Sequence, residues 1–206
     1  MKKILLAILA LVAVNLNAQV KDSFESNKFG WTETSAKDGE AVIKDGKMHI
    51  VGKKGNNAAM NLLFGIRTEP SFIETHCFPG YDVTKDFEIK CEASVKKITG
   101  ENVLGIMLDY VDDGNFIAFL VEEDKASLIR VKECRTIGSI TNNLKIKDKK
   151  KTTLDLSVKS SFNKLEFFVN GMKAVESRYV KLTSTGLGFY VFGQHTVDFD
   201  NLEIIQ

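Results

Sequence analysis

The sequence predicts an all-β protein, an antiparallel two-sheet jelly-roll sandwich. Three observations carry that reading. Beyond residue 18 the apolar residues recur with a period of two almost everywhere. Turn pairs such as Asn170-Gly171 punctuate those runs at short spacing. No later segment sustains an i, i+3, i+4, i+7 apolar stripe, the mark of an amphipathic helix.

Taken in order, the chain opens MKKILLAILALVAVNLNAQV. Lys2 and Lys3 precede an uninterrupted apolar run from Ile4 to Val14, and Ala18 is a small residue behind which a signal peptidase cuts. That run is shorter than the roughly 20 residues a membrane span needs. Residues 1–18 are therefore expected to be a secretory signal peptide, and residues 19–206 one exported domain, periplasmic or extracellular. No Cys follows the cut, so the usual bacterial lipid anchor is not expected, and no membrane span is expected after cleavage. What remains is long enough for one substantial core.

Of the 28 basic residues Lys2 and Lys3 leave with the signal, so the domain sets the rest against 27 acidic residues, a net charge of −1. A nucleic-acid partner would require a basic excess on one face, and none is expected. The densest basic stretch, KIKDKKK at 145–151, is interrupted by Asp148 and reads as a solvated loop.

The strands follow from alternation. DFEIKCEASV (86–95) puts Phe87, Ile89, Cys91, Ala93 and Val95 on one face and Glu88, Lys90, Glu92 and Ser94 on the other. TLDLSV (153–158) and KLEFFV (164–169) alternate in the same way. Asn170-Gly171 then turns the chain into MKAVES, because a type I′ turn needs φ > 0 at both central residues. Further strands read as KMHIVG (47–52), VLGIML (103–108), NFIAFLV (115–121), ASLIRV (126–131), GLGFYVFG (186–193) and VDFDNLEII (197–205). The stretch 53–85, which holds Pro70 and Pro79, reads as irregular, and an account as cheap as a sugar platform is that it folds over the concave face and closes it.

One feature departs from a sandwich wetted on both outer faces. NFIAFLV is apolar on both phases, with Phe116, Ala118 and Leu120 on one and Ile117, Phe119 and Val121 on the other. Tyr190 and Phe192 likewise stand out of step with Phe189 and Val191. Such a strand is covered twice, or its outer face binds something.

Cysteine is sparse. Cys91 falls in the core phase, while Cys77–Cys91 and Cys91–Cys134 are both open as bridges, and an odd number cannot all pair. His49, His76 and His195 lie too far apart in sequence for zinc spacing, and no Ser-His-Asp or Cys-His set is legible.

The ordered series DSFESNKFGW, IKDGKMHI, DFEIKCEASV, GIMLDYVDDGNFIAFLV, LEFFVNGMKAV, GLGFYVFG and VDFDNLEI resembles the concanavalin A-like lectin/glucanase superfamily. It is most similar to the laminarinase-like and laminin-G-like jelly-roll domains exported by Bacteroidota. The resemblance covers about residues 20–206 and implies two large antiparallel sheets with the first and last strands side by side. It also implies that the ligand is a sugar, a protein or calcium, or that the domain is a hydrolase, depending on the member. Enzymatic members carry Glu-x-Asp-x-x-Glu on one strand face, where a two-residue step sets two carboxyl groups about 5 Å apart. VEEDKASLI (121–129) and VDFDNLEI (197–204) come nearest and neither fits, so catalysis is not expected.

Acidic residues offer two weak metal sites. Asp198 and Asp200 share a phase, and Asp109, Asp112 and Asp113 crowd the segment LDYVDDGNF. A structural calcium is the ion either set would hold, but Ca²⁺ takes 6–8 oxygen ligands. The favoured readings are a strand-start bulge for the first and an Asp113-Gly114 hairpin for the second. No other cofactor is expected. Among the aromatics, Tyr190 and Phe192 are the best candidates for a sugar platform on the concave sheet, with Trp31 and Tyr110 behind them. Trp31 has a stronger competing reading as a core plug.

The expected function is thus carbohydrate recognition without cleavage. The alternatives are a cell-envelope module that docks another protein on its apolar outer face and, third, a divergent glycoside hydrolase.

Overall fold

The computed structural model describes residues 19–37, 39–53, 72–95, 102–144, 153–162, 164–178 and 180–206. Residues 1–18, expected from sequence to be a signal peptide, and the basic stretch 145–151 lie outside these residues, as does Tyr179. The described chain forms fifteen strands: β1 (Gln19–Asp22), β2 (Thr34–Ala36), β3 (Gly39–Lys44), β4 (Lys47–Gly52), β5 (Phe72–Cys77), β6 (Phe87–Val95), β7 (Val103–Asp112) and β8 (Asn115–Val121), followed by β9 (Lys125–Lys132), β10 (Arg135–Asn143), β11 (Thr153–Ser161), β12 (Lys164–Val169), β13 (Met172–Arg178), β14 (Gly186–Phe192) and β15 (Thr196–Ile205). Among the described residues no helix is long and apolar enough to cross a membrane.

The strands make two antiparallel sheets. The larger runs β13-β12-β11-β6-β15-β4-β3-β2, with β1 also on β15. The smaller runs β10-β9-β8-β7-β14-β5. First and last strands lie side by side, Gln19 opposite Ile205 and Asp22 opposite Leu202. The Asn170-Gly171 hairpin forms as read, with φ of 50° and 73°.

Alternation builds the core between the sheets. β6 and β12 bury every second residue, and Phe119, Phe167, Phe189 and Phe199 are fully enclosed. Phe189 stacks on Phe199 at 4.1 Å between ring centroids, and Phe119 lies 5.1 Å from Phe167. Each such ring contributes roughly 1.5–3 kcal/mol through burial.

The doubly apolar phase of β8 has a physical outcome. Ile117, Phe119 and Val121 enter the inter-sheet core, while Phe116, Ala118 and Leu120 join Met107 and Tyr110 in a second buried cluster on the other face of the smaller sheet. Val103, Ile129, Val131 and Tyr190 pack against that cluster. Gly188 makes room within it, since a Cβ there would lie 2.6 Å from Met107 Cε and 2.5 Å from the Thr75 carbonyl.

Two segments correct the sequence reading. The stretch 53–85 is not wholly irregular, because residues 72–77 form β5, an edge strand on β14. Residues 54–71 lie outside the described residues. Residues 135–143 form β10, a strand with no apolar alternation to announce it, since all nine of its residues are exposed. The cysteines are three free thiols, Cys77 and Cys91 buried and Cys134 exposed.

Candidate functional site

β5 buries Ile73, Thr75 and Cys77, so period two turns Glu74 and His76 to the opposite face of the smaller sheet. Across the ladder Glu74 faces Tyr190 and His76 faces Gly188. Tyr110 reaches the same face through a bulge. On β7, Leu104, Ile106 and Leu108 point into the inter-sheet core, and a regular strand would send residue 110 after them. The register instead shifts between Leu108 and Asp112, Asp109 adopts φ of 51°, and Tyr110 turns outward. Asp109 holds the bulge: its Oδ1 accepts hydrogen bonds from the Thr183 and Ser184 amides at 2.6 and 2.7 Å and from Thr183 Oγ1 at 3.1 Å.

These elements assemble an aromatic and carboxylate cluster. The Tyr110 ring stacks on His76 at 4.1 Å, and Phe78 meets both rings edge-on at 6.0 and 6.4 Å. The Tyr110 hydroxyl donates to Asp113 and lies 3.3 Å from Glu74 Oε1. Glu74 and Asp113 are themselves in hydrogen-bond contact. Burial, reinforced by the bond to Asp113 and its charge, pushes the Glu74 carboxyl up to about 7. The Tyr110 hydrogen bond holds Asp113 below its ordinary value. The pair therefore keeps one proton, on Glu74, at mildly acidic pH. Burial pushes His76 down despite the nearby Asp113 charge, which favours the neutral ring, and its Nδ1 is buried without a hydrogen-bond partner. Glu74 Oε2 is likewise buried without a hydrogen-bond partner.

Beside the cluster opens a cleft of about 530 Å³, lined by His76, Phe78, Tyr110, Asp113, Asn115 and Cys134 among others. Phe78 stands at its rim with 55% of its surface exposed, an unusual position for a large apolar ring. Both carboxyls here meet the Tyr110 hydroxyl, whereas a retaining glycosidase holds its pair about 5 Å apart with the scissile bond between them. The arrangement is suited to offering a ring face beside hydrogen-bonding groups.

The remaining site residues fall elsewhere. Tyr190 and Phe192 lie on the outer phase of β14 as read, each partly buried. Burial and the Glu74 charge push the Tyr190 phenol up to about 12. Trp31 corrects the platform reading. It is 2% exposed, its ring stacks on Phe189 at 5.1 Å, and its Nε1 donates to buried Asp22 at 2.8 Å, so no ring face is left for a sugar. Tyr110, also 2% exposed, is a floor to the cleft and not a free platform.

The acidic residues are already engaged. Asp112 Oδ1 accepts from the Gly114 amide and from Asn115 Nδ2, which fixes the β7–β8 turn. Asp198 lies 2.5 Å from His49 Nδ1. Asp200 accepts from the Asn201 amide at a bulge where Asn201 has φ of 52°. Among the described residues no group of three or more His, Cys, Asp or Glu is arranged to hold a metal ion. Glu74, His76 and Phe78 escaped the sequence reading. The alternation in FIETHC was the available signal, inside a stretch read as irregular.

No protein-family model and no curated protein matches the sequence. Solved structures do match. A structure from work on endo-acting O-glycanases of prominent members of the human gut microbiota aligns with a TM-score of 0.58 at 10% identity, covering 91% of this chain and 98% of that one. Bacillus licheniformis β-glucanase aligns at 0.57 and 11% identity, covering 93% and 99%. The receptor-binding domain of botulinum neurotoxin type G aligns at 0.52 and 10% identity, covering 90% of this chain and 47% of that one. At such identities the likeness concerns the fold, and it agrees with the two antiparallel sheets described above. The chain has an antiparallel two-sheet jelly-roll fold similar to that of these structures.

Proposed function

We propose that this protein is an exported carbohydrate-recognition module that does not cleave its ligand. The sugar lies along the strip from Tyr190 past Glu74 to the cleft beside Phe78. The observation that carries the reading is the exposed Phe78 ring standing over the His76–Tyr110 stack, with Asp113 and Asn115 in the same cleft. A pyranose lays its C–H face on an aromatic ring while neighbouring amides and carboxylates take its hydroxyls, and a cleft of this size suits a few sugar units. The Tyr110 hydroxyl set between Glu74 and Asp113 supports binding over hydrolysis, because it occupies the space where a glycosidic bond would have to lie. The fold supports the reading as well, since carbohydrate-acting proteins are among its structural neighbours.

The test is a glycan array on the purified protein, run with calcium and again with a chelator, followed by titration of each hit. Specific, saturable binding that weakens about tenfold or more in Phe78→Ala supports the assignment. A silent array under both conditions removes it, and binding unaffected by Phe78→Ala moves the sugar away from this cleft.

A further inference from the structure

We infer that the cleft beside Phe78 selects sugars carrying a free ammonium group, amino sugars without an N-acyl cap, and turns away anionic sugars. The inference rests on the carbohydrate reading and adds to it the charge of the ligand.

The lining of the cleft is charged with one sign. Asp112, Asp113 and Glu133 bring carboxylates to it, and no Lys or Arg is among the residues that line it. Elsewhere on the surface carboxylates face lysines: Glu88 pairs with Lys90 and Lys159, Glu166 with Lys164 and Lys173, and Glu203 with Lys21. Among the described residues no basic side chain forms an ion pair with any of the three acids in the cleft. His76 does not compensate, because burial favours its neutral ring. Lys132 and Arg135 sit opposite each other at the base of the β9–β10 turn without lining the cleft. Lys132 has the phase of Leu128, which enters the inter-sheet core, whereas Val131 packs on the outer cluster.

Hydrogen bonds between two turns bring Glu133 to the cleft. Its amide donates to Asn115 Oδ1 at 3.2 Å, and the Cys134 amide donates to the Gly114 carbonyl at 3.0 Å. The β9–β10 turn is thereby fixed against the β7–β8 turn that carries Asp113. Like charges gathered on one rim repel, and a bound cation relieves that repulsion. Among the described residues no group of three or more His, Cys, Asp or Glu is arranged to hold a metal ion, so the cation that fits is one carried by an organic ligand.

The rings fit the same ligand. Phe78 stands exposed and edge-on to His76 and Tyr110. An ammonium near an aromatic face is attracted by the ring quadrupole. A hexosamine offers both parts at once, a C–H face for Phe78 and an ammonium for the carboxylates. N-acetylation removes the charge and a uronic acid reverses it, so each forfeits the contact with the carboxylates. A charge-assisted hydrogen bond of that kind corresponds to about tenfold or more in affinity.

Isothermal titration calorimetry on the purified protein at about pH 6, where a sugar amine is protonated, tests this. The probes are the β-1,4-linked tetramers of glucosamine, N-acetylglucosamine and glucose, together with tetragalacturonate. The glucosamine tetramer is expected to bind about tenfold or more tighter than either neutral tetramer, with tetragalacturonate silent. That preference should shrink several-fold in Glu133→Gln and in Asp113→Asn, which keep the shape of each side chain and remove its charge. Glu133 lies exposed on a turn, so its variant keeps the fold. Neutral tetramers that bind as tightly as the glucosamine tetramer overturn the inference and leave the carbohydrate reading standing. So does binding of tetragalacturonate, or a preference that persists undiminished in both variants. Binding on the wider glycan array with silence toward all four probes overturns the inference alone, and silence on both removes the carbohydrate reading with it.

Discussion

Glu74 on β5 and Asp113 in the β7–β8 turn meet at the Tyr110 hydroxyl, which donates to Asp113 and lies 3.3 Å from Glu74 Oε1. The relationship ties the edge strand of the smaller sheet to a hairpin two strands away, and it makes stability depend on pH in a definite direction. The Glu74 carboxyl rises from 4.5 to about 7 on folding. Between those values the folded protein holds a proton that the unfolded chain has released, so stability falls as pH climbs through the window. Below it both forms are protonated, and above it the penalty is complete. The depressed Asp113 acts oppositely, with stability lost as pH drops through its lowered value. With Glu74 partly exposed, the loss across the window is about 1–2 kcal/mol after allowing for solvent screening. Urea unfolding from pH 4.5 to 7.5 should show that decline in the wild type and a flatter profile in Glu74→Gln, whose amide still donates to Asp113. Parallel profiles would mean that the proton resides elsewhere.

The bulge at Asp109 is the second test. Asp109→Ala deletes an acceptor used by two backbone amides and a hydroxyl, and unsatisfied donors of this kind cost about 1–3 kcal/mol. Losing the bulge would swing Tyr110 back toward the core phase, so Asp109→Ala should also weaken any ligand bound in the cleft. Asn tolerates the left-handed backbone and keeps an acceptor, so Asp109→Asn should recover most of both. If Asp109→Ala left both stability and binding intact, the bulge would not depend on this side chain.

Much of the fold was legible because water enforces alternation wherever one strand face is buried. β6, β12 and the Asn170-Gly171 hairpin read directly from the residues, and the second apolar phase of β8 announced the outer cluster. Two kinds of element were not legible. β10 has no buried face, so nothing in its composition had to alternate. β5 does alternate, but in a stretch bounded by Pro70 and Pro79 its six residues were too few to stand out. The site suffered from a third effect. A one-residue bulge inverts the phase of everything after it, so Tyr110 could not be aimed without knowing that Asp109 is held at positive φ. Trp31 shows the limit for aromatics, since a ring for a sugar and a ring for the core look alike in sequence, and only burial separates them.

That burial can be checked on its own. Trp31→Phe keeps much of the ring packing against Phe189 but removes the donor that Asp22 Oδ2 accepts, leaving a buried carboxylate one hydrogen bond short. Unfolding should show a loss of roughly 2–3 kcal/mol. The wild-type tryptophan emission should be blue-shifted and unaffected by any glycan that binds. A variant that stays as stable as wild type yet loses its glycan would return Trp31 to the ligand surface.

Cys134 gives the most direct probe of the cleft. Burial pushes the thiols of Cys77 and Cys91 far above their ordinary range, so neither supplies thiolate near neutral pH, whereas Cys134 is exposed and lines the cleft beside Asp113 and Asn115. A maleimide added to the native protein should therefore attach once, at Cys134, with the other two thiols reacting only on unfolding. Because a maleimide adduct occupies part of the volume in which the sugar is proposed to lie, labelled protein should lose affinity by about tenfold or more. The converse holds kinetically, and saturating glycan should slow labelling, while Cys134→Ser should bind normally because the thiol takes no part in recognition. Labelling at an unchanged rate under saturating glycan would place the ligand elsewhere on the molecule, whatever the affinity.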